Sequence, residues 1–470
     1  MAQHIAIVGG GITGLATAFY LQSEIENRGL PLRYTVVEAS HRWGGLIDTV
    51  RKNGFVIEKG PDSFLERKKY ATQLCVDLGL EDELVHNQVG QAYIYHDHQL
   101  HPVPQGSVMG IPTDLTSFLK TKLLSTEGKA RGLEDLLLSP SVREEDQSVG
   151  AFLRQRFGDE LVNRIIEPLV SGVYGSPIEE LSLEATYPQY PMLLKRYGSL
   201  IKAFKDINAS TKPSKGIFQT VKSGLYTMVE KLIQQLPSYA LRTNHVLTKL
   251  TKSEKGYVLH FQNGERITAQ SVILTIPFFA TKQVLYPVLE SNQFEQKAPT
   301  SAATVALGFE KGDLDIPYQG TGFIVPKSAS LSLTACTWVQ KKWPHAVPDG
   351  KNLLRCFVGR PGDDQIVNAS DKEIVRAVIR DLQQIQGVRI QKEPEFSIVH
   401  RLKNVRPAYT VGHTKWVKRV LQQVEKYYPQ VYLAGSSYHG IGLPDCIKQG
   451  REIVNTIIDS LTKEKKIVIH

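Results

Sequence analysis

Cysteine is scarce in this chain. Only four cysteines occur among 470 residues, and they stand far apart, as Cys75, Cys336, Cys356 and Cys446. No two of them have the C-x-x-C spacing, which argues against a disulfide framework and against a thiolate metal site. The sequence therefore predicts reduced thiols, no bound metal and a cytoplasmic protein.

Long apolar runs are also missing. No stretch approaches the roughly 18 to 20 apolar residues of a membrane-spanning helix, and residues 1–4 lead into an apolar strand without the pattern of a signal peptide. Hydrophobic residues make up 41% and charged residues 22% of the chain, which is typical of a globular protein rather than a disordered or fibrous one. Loose membrane association stays open.

Acidic residues are outnumbered, 47 against 56 basic ones, which leaves a net charge of +9. Such an excess favours partners that carry phosphates or carboxylates, although a basic, soluble surface explains it equally well. We expect no nucleic-acid partner. The sequence carries no local signature of an oligomeric state.

The first forty residues contain the strongest functional signal. Residues 5–8 form an apolar strand, residues 15–21 supply the small and apolar side chains of a packed helix, and residues 34–37 form a second strand that ends at Glu38. Between the first strand and the helix lies a G-x-G-x-x-G pattern made of Gly9, Gly10, Gly11, Ile12, Thr13 and Gly14.

Each glycine of the G-x-G-x-x-G pattern has a physical reason for its position. Gly9 permits a tight turn, Gly11 lets the backbone approach a pyrophosphate, and Gly14 lets helix and strand pack closely. The free N–H groups at the helix N-terminus then face the phosphates, while Glu38 accepts hydrogen bonds from the ribose. The segment therefore predicts a dinucleotide site.

The rest of the chain predicts an α/β protein whose domains are discontinuous. The strands expected within 243–274 and at 431–434 are the candidates to complete the first sheet, and a loop is expected over 195–216. Three units follow: a Rossmann-like domain, an inserted mixed-sheet substrate domain and a helical subdomain. Their expected limits are 1–70, 215–278 and 400–470 for the first, 71–108 and 279–399 for the second, and 109–214 for the third.

The residues that follow the second strand resemble a known superfamily. Residues 38–45 read E-A-S-H-R-W-G-G, which is similar to the E-A-x-x-R-x-G-G segment of the amine-oxidase-like FAD proteins. Residues 60–63 resemble the segment that lies along the flavin in those proteins. Residues 434–446 resemble their second flavin-contacting stretch, in which a strand delivers a glycine-rich loop to a helix N-terminus.

This resemblance implies FAD as the cofactor. Together with the first glycine cluster, it implies a set of residues around FAD: Glu38, Ala39, Arg42, Gly44, Gly45, Leu46, Lys59, Gly60, Pro61, Asp62, Ser63, Val246, Ser436, Ile441, Gly442 and Leu443.

Within that superfamily the whole chain resembles the porphyrinogen oxidases of the Gram-positive bacterial type. The most specific pieces are residues 60–64, 100–102, 167–175, 335–338 and 436–446. The resemblance implies a step of haem biosynthesis in which FAD takes hydride from a porphyrinogen and O2 is the final oxidant, giving H2O2. The implied substrate is coproporphyrinogen III, with four propionates, and protoporphyrinogen IX, with two, stays the alternative.

The substrate site is less defined. Loss of hydride from a methylene bridge between two pyrroles needs mainly binding, orientation and exclusion of water, so no general base is expected. Val173, Tyr174 and Phe357 are candidate pocket residues, each equally explained by core packing. Lys68, between Arg67 and Lys69, is a candidate propionate anchor, with a solvated charge run as its alternative.

Some residues that could carry chemistry are more simply structural. These are Cys446, Asp445, His101, His245, His413 and His439. The chain also departs from its relatives at three places, one of which is Leu46, after Gly45, where many superfamily members have an arginine. Ser107-Val108 stands where eukaryotic-type members have an arginine, so the propionate anchor must differ or be absent. Arg406-Pro407-Ala408-Tyr409 replaces the more usual Pro-Gln-Tyr.

Other functions stay open. An amine oxidase or a carotenoid desaturase would share the superfamily, although we locate no aromatic cage of the kind that amine oxidases place around the flavin. A prenyl-GTPase carrier would share the fold without a catalytic flavin, and the intact glycine pattern argues against it.

Overall fold

The computed structural model describes residues 2–88, 90–174, 176–210 and 216–467. Within them the β-strands, labelled β1 to β22 in chain order, are Gln3–Val8, Leu32–Val37, Thr49–Lys52, Phe55–Glu58, Phe64–Leu65, Leu84–His86, Ala92–His96, Gln99–Pro102, Phe218–Val221, Leu241–Arg242, Leu247–Ser253, Gly256–Phe261, Arg266–Ala269, Ser271–Leu274, Thr300–Glu310, Leu314–Asp315, Gly322–Ile324, Leu333–Trp338, Lys351–Val358, Arg389–Ile390, Phe396–Arg406 and Val431–Leu433. The α-helices, labelled α1 to α15, are Ile12–Arg28, Tyr70–Asp77, Leu115–Lys120, Thr126–Leu133, Val149–Leu161, Glu167–Tyr174, Leu183–Thr186, Gln189–Tyr197, Leu200–Ser210, Tyr226–Gln235, Phe278–Val284, Val339–Lys342, Asp371–Gln383, His413–Tyr427 and Leu443–Ile467.

The first sheet is parallel and has five strands in the order β10-β2-β1-β14-β22. Its strands are short and apolar because both faces are buried, as is usual for parallel sheets. Helices α1, α10 and α15 cover one face, and strands β11 to β13 with helices α11 and α14 cover the other. In the register, Val8 lies opposite both Val37 and Leu274, and Leu274 lies opposite Leu433. The carboxyl ends of these strands therefore meet at one edge, where open α/β sheets bind ligands.

The strands between β10 and β14 form a layer of their own. Strands β11, β12 and β13 make a separate three-stranded antiparallel sheet. Buried and partly exposed residues alternate along β12, which is the pattern of a sheet with one solvated face. The expectation that all strands of 243–274 complete the first sheet is therefore wrong, since within that range only β14 joins it.

The second large sheet is mixed and has seven strands in the order β21-β15-β19-β18-β17-β7-β8. It contains the strands expected near 93–103, 301–309, 322–325, 331–337 and 353–358. Strand β21 was not expected, and the predicted domain limit at 399/400 falls inside it. Because β21 pairs with β15 along most of its length, that limit moves to the loop after Arg406.

Helices α3 to α9 build the third unit around one apolar core. The expected loop over 195–216 is wrong for most of its length, because α8 extends to Tyr197 and α9 covers Leu200–Ser210. Gly198, with φ 73°, ends α8 in the left-handed conformation, and Leu200, Ile201 and Phe204 bury one face of α9. Residues 211–215 lie outside the described part of the chain.

With these corrections to individual elements, the predicted fold class is confirmed: a Rossmann-like sheet, an inserted mixed sheet and a helical unit. In the described ranges, no helix combines the length and the apolar character that crossing a bilayer would take.

Candidate functional site

The N-terminus of α1 lies at the carboxyl edge of the parallel sheet and has no side-chain cap. Its first-turn N–H groups are therefore available to an anion. A methyl group at Gly14 would overlap the carbonyl oxygen of Gly9, so only glycine lets the helix start this close to β1. At Gly11 the nearest heavy atom to such a methyl would be Gly45 Cα, at 4.0 Å, which leaves this side of the loop open to a ligand.

Glu38 stands at the end of β2 and holds the glycine loop. Its Oε2 accepts from the backbone N–H of Gly10 at 2.7 Å, and its Oε1 accepts from that of Ser40 at 2.8 Å. Each carboxylate oxygen keeps a further lone pair, so Glu38 can still accept from a diol. Val246, 39% exposed, follows His245, whose N–H donates to the Glu38 carbonyl oxygen at 2.8 Å. Ala39 beside them is exposed.

The loop after Glu38 is folded by its own arginine. Arg42 donates to the carbonyl oxygens of Gly45 at 2.6 Å and Ile47 at 3.2 Å, and the N–H of Gly44 donates to the Gly10 carbonyl oxygen at 2.8 Å. The Arg42 guanidinium thus holds the conformation of residues 42–46, here called the strap, which crosses the glycine cluster. Gly45 and Leu46 remain exposed along this strap.

The segment Lys59–Ser63 packs against the strap and against the second sheet. A methyl group at Gly60 would overlap the Leu46 carbonyl oxygen. On the other side, Thr304 Oγ1 donates to the Lys59 carbonyl oxygen at 2.9 Å, and Arg355 donates to the carbonyl oxygens of Glu58 and Gly60. Pro61 is half-buried between these anchors.

Asp62 is the ionic centre of this segment. Its carboxylate accepts from Lys342 Nζ at 3.0 Å, Trp343 Nε1 at 3.3 Å and the Ser63 hydroxyl at 2.8 Å. Burial works against ionisation here, but the charges of Lys342 and Arg355 outweigh it and hold the pKa of Asp62 well below its usual range. Asp62 is therefore a charged structural hub. Lys342 and Trp343 were not expected as partners, because 280 and 281 residues separate them from Asp62 and no local pattern indicates the contact.

The second glycine-rich loop reaches the same edge from β22. Tyr409, 1% exposed, braces it from both sides. The Tyr409 hydroxyl donates to the Ser436 carbonyl oxygen at 2.8 Å and accepts from the Gly440 N–H at 2.8 Å. Burial raises the pKa of Tyr409, so the phenol stays protonated. No role was predicted for Tyr409 from the sequence, where it appeared only as the last residue of the segment that replaces the more usual Pro-Gln-Tyr.

Helix α15 begins at Leu443, directly after this loop, and packs on α1. Gly450 lies against Thr13 and Thr17 so closely that a methyl group would clash with both. The N-termini of α1 and α15 therefore point toward the same region. Ile441 packs against the helical core, and Gly442 is partly exposed.

Lys68 forms an ion pair within the protein. Its Nζ donates to both carboxylate oxygens of Asp445, at 2.8 and 2.6 Å. Asp445 lies in the first turn of α15, which favours a negative charge. The ammonium that was a candidate propionate anchor is thus already neutralised.

The candidate pocket residues lie on different elements. Phe357 is half-buried, lies opposite Thr304 in the register and has the Arg355 guanidinium over its ring at 4.6 Å. Tyr174 is half-buried at the end of α6, and burial raises its pKa to about 12. The side chain of Val173 lies outside the described part of the chain. His400, also opposite Thr304, was not expected on this face; burial lowers its pKa.

The groups expected to be structural are buried or paired. Burial raises the pKa of the Cys446 thiol to about 11 and lowers that of His413, which stacks on Tyr409 at 3.9 Å, to about 4. All four cysteines are free and buried. The register nevertheless brings Cys336 and Cys356 together, with their sulfur atoms 3.6 Å apart.

The donor set of this edge fits a dinucleotide that ends in a flavin. An uncapped helix N-terminus and the open side of Gly11 suit a pyrophosphate, and Glu38 beside exposed Val246 suits the ribose and adenine. The second helix N-terminus, at Leu443, suits the electron-rich edge of a flavin. Such a group, when bound, supplies the hydride-accepting chemistry.

Comparison with known proteins agrees with a flavin site. The model of the flavin containing amine oxidoreductases matches residues 12–458. The chain is 45% identical to a coproporphyrinogen III oxidase of Bacillus subtilis, with 98% of each chain covered. It is 38% identical to a coproporphyrinogen III oxidase of Staphylococcus aureus, with 98% of this chain and all of the relative covered.

Solved structures give the same fold. A protein of Exiguobacterium sp. 255-15, provisionally named a protoporphyrinogen oxidase, superposes with a TM-score of 0.88 at 40% identity and covers 97% of this chain and 99% of its own. A reduced UDP-galactopyranose mutase, 15% identical, matches in fold alone with a TM-score of 0.72 over 97% of this chain and 96% of its own. The predicted FAD cofactor and oxidoreductase class are confirmed, and the chain belongs to the flavin-containing amine oxidoreductase family.

Proposed function

We propose that this protein oxidises coproporphyrinogen III to coproporphyrin III, a step of haem synthesis, with FAD as the hydride acceptor. Each pair of electrons then reduces one O2 to H2O2. The observation that carries the proposal is the full-length similarity, at 45% and 38% identity, to two proteins named coproporphyrinogen III oxidase. The geometry supports it, because the site orients a cofactor and supplies little acid–base chemistry.

The roles of the chain's own residues follow from their contacts. Residues 9–14 and Glu38 would hold the pyrophosphate and ribose, with Val246 beside the adenine. The strap at residues 42–46, the segment Lys59–Ser63 and the loop from Ser436 to Leu443 would hold the flavin. Arg355 and Tyr409 position two of these segments from outside, through hydrogen bonds to their backbones.

The substrate would lie against the face of the second sheet that carries Phe357, Thr304 and His400. Paired residues on neighbouring strands point to the same face, and Thr304 also touches the Lys59 carbonyl oxygen. A broad apolar macrocycle bound there would be oriented toward the flavin and shielded from water. That placement is the main catalytic contribution this chain offers.

A second candidate substrate is protoporphyrinogen IX. It is favoured by the provisional name of the structure at 40% identity and by a spinach chloroplast protoporphyrinogen oxidase that is 28% identical over 97% of this chain. Both substrates give fluorescent porphyrins, so kcat/KM can be compared directly. A clear preference for protoporphyrinogen would overturn our choice of substrate.

The same preparation tests the wider assignment. The purified protein should be yellow, with the absorption bands of an oxidised flavin, and should generate porphyrin fluorescence and H2O2 from coproporphyrinogen III. Turnover of an amine without porphyrinogen oxidation would support an amine oxidase. A colourless protein that takes up no FAD would support a non-catalytic carrier.

A further inference from the structure

Arg406, at the end of β21, differs from the other arginines of its sheet. Arg355 and Arg360 fill their donors with backbone carbonyl oxygens, and Arg401 binds two carbonyl oxygens and the Asp371 carboxylate. Arg406 makes a single, long hydrogen bond, from Nη2 to the Gly172 carbonyl oxygen at 3.3 Å. Among the described residues, no carboxylate forms an ion pair with it.

Arg406 is partly buried. Its side chain keeps part of its surface accessible to solvent, and burial by the surrounding protein lowers its pKa. A guanidinium in such a place, with most of its N–H groups unused, is costly unless an anion completes it.

One contact and one neighbour in the sequence place Arg406 beside the segments of the proposed active site. Gly172, whose carbonyl oxygen accepts from Arg406, is exposed and lies two residues before Tyr174, on the last turn of α6. Three residues after Arg406, Tyr409 holds the loop at Ser436 and Gly440. Arg406 therefore contacts α6 and follows the same chain segment as the tyrosine that holds the second flavin loop.

We propose that Arg406 binds a propionate carboxylate of the porphyrinogen. This inference rests on the proposed function. The fork of a guanidinium matches a carboxylate with two parallel hydrogen bonds. Such a cation is wanted at this site because the other candidate, Lys68, is already neutralised by Asp445.

The test compares Arg406→Gln and Arg406→Lys with the control Lys403→Gln, an exposed cation on the same strand. The substrates are coproporphyrinogen III and its tetramethyl ester, which has the same ring without the negative charges. In Arg406→Gln we expect KM for the acid to rise roughly 10- to 100-fold, the loss of one charge-assisted pair, with kcat within about twofold. KM for the ester should stay unchanged, and Arg406→Lys should recover part of the affinity for the acid.

Binding of the product, coproporphyrin III, gives a readout that does not need turnover. Its Kd, followed by fluorescence, should rise by the same factor in Arg406→Gln and stay constant in Lys403→Gln. The inference is overturned if Arg406→Gln leaves KM and Kd for the acid within twofold, or changes acid and ester equally, as a role confined to the end of α6 would. A wild-type protein that binds coproporphyrin but oxidises no porphyrinogen refutes the proposed function alone.

Discussion

The Tyr409 hydroxyl gives the most direct test of how the flavin segments are held. Substitution of Tyr409 by Phe removes the donor to the Ser436 carbonyl oxygen and the acceptor for the Gly440 N–H, and changes little else. Both hydrogen bonds measure 2.8 Å and the ring is 1% exposed. The two backbone groups would therefore lose their partner in a place that water hardly reaches.

The size of the effect follows from these contacts. A typical internal hydrogen bond contributes about 1 kcal/mol net, and a buried polar group left without a partner costs about 1 to 3 kcal/mol. Two such groups give a loss of about 2 to 6 kcal/mol, shared between folding and cofactor binding. If half falls on binding, the Kd for FAD rises roughly 5- to 150-fold.

The assay is reconstitution of flavin-free protein with FAD, followed by the quenching of flavin fluorescence, together with thermal unfolding of the holoprotein. Tyr432→Phe is the matched control. Tyr432 lies on β22 before the same loop, and its hydroxyl donates to the Gln430 side chain at 2.9 Å in an exposed position. If Tyr409→Phe behaves like this control in both Kd and Tm, the loop is not held by the phenol and the reasoning fails.

Three further predictions concern Glu58, Gly14 and the Lys68–Asp445 ion pair. Burial raises the pKa of Glu58 from an ordinary 4.5 to about 7, so the stability that this group contributes below about pH 4.5 is lost as the pH rises to about 7. The substitution Glu58→Gln should remove up to about 3 kcal/mol of that pH-dependent loss. A Tm with the same pH dependence in Glu58→Gln as in the wild type would contradict this. Gly14→Ala should abolish FAD binding, since its methyl meets a backbone carbonyl oxygen, whereas Gly312→Ala, with open space around it, should bind FAD normally. Removing the Lys68–Asp445 pair as Lys68→Met with Asp445→Asn should change KM for coproporphyrinogen less than about threefold, and a larger rise would return Lys68 to the propionate site.

The parts of the site that were predictable share one property: their chemistry is carried by consecutive residues. The glycine loop, the helix start and Glu38 lie within forty residues, and spacing alone indicates what they can bind. The second loop was visible for the same reason, because a strand, a glycine cluster and a helix start follow one another from Val431 to Leu443.

The supports of the site could not be predicted in this way. Asp62 meets Lys342 and Trp343 across 280 and 281 residues, and no local pattern in either segment indicates that contact. The close approach of Cys336 and Cys356 depends on the register of β18 against β19. Long-range pairing is set by the packing of whole elements, which a single sequence read segment by segment does not contain.

The errors in secondary structure have more specific causes. Strand β21 lies at the edge of its sheet and carries charged residues on both faces. Edge strands tolerate such charges because one side of the strand meets solvent. The strand therefore lacks the alternation of apolar and polar residues that indicates a strand in a sequence. Helix α9 was missed because its segment is polar in composition, although Leu200, Ile201 and Phe204 have helical spacing. Periodicity was the better guide there.

The charges around the proposed flavin site are mostly paired with one another. Asp62 is bound by Lys342 and Arg355, while Lys59 pairs with Asp48. What the edge leaves for ligands is therefore backbone N–H groups, the lone pairs of Glu38 and apolar surface. This is the equipment for holding a cofactor and a macrocycle in register for hydride transfer, where orientation contributes most and a proton acceptor contributes least. Because most other charges here are paired, a guanidinium with unused donors is suited to bind an anionic group of the substrate. Arg406 therefore recognises substrate charge rather than taking part in the chemistry.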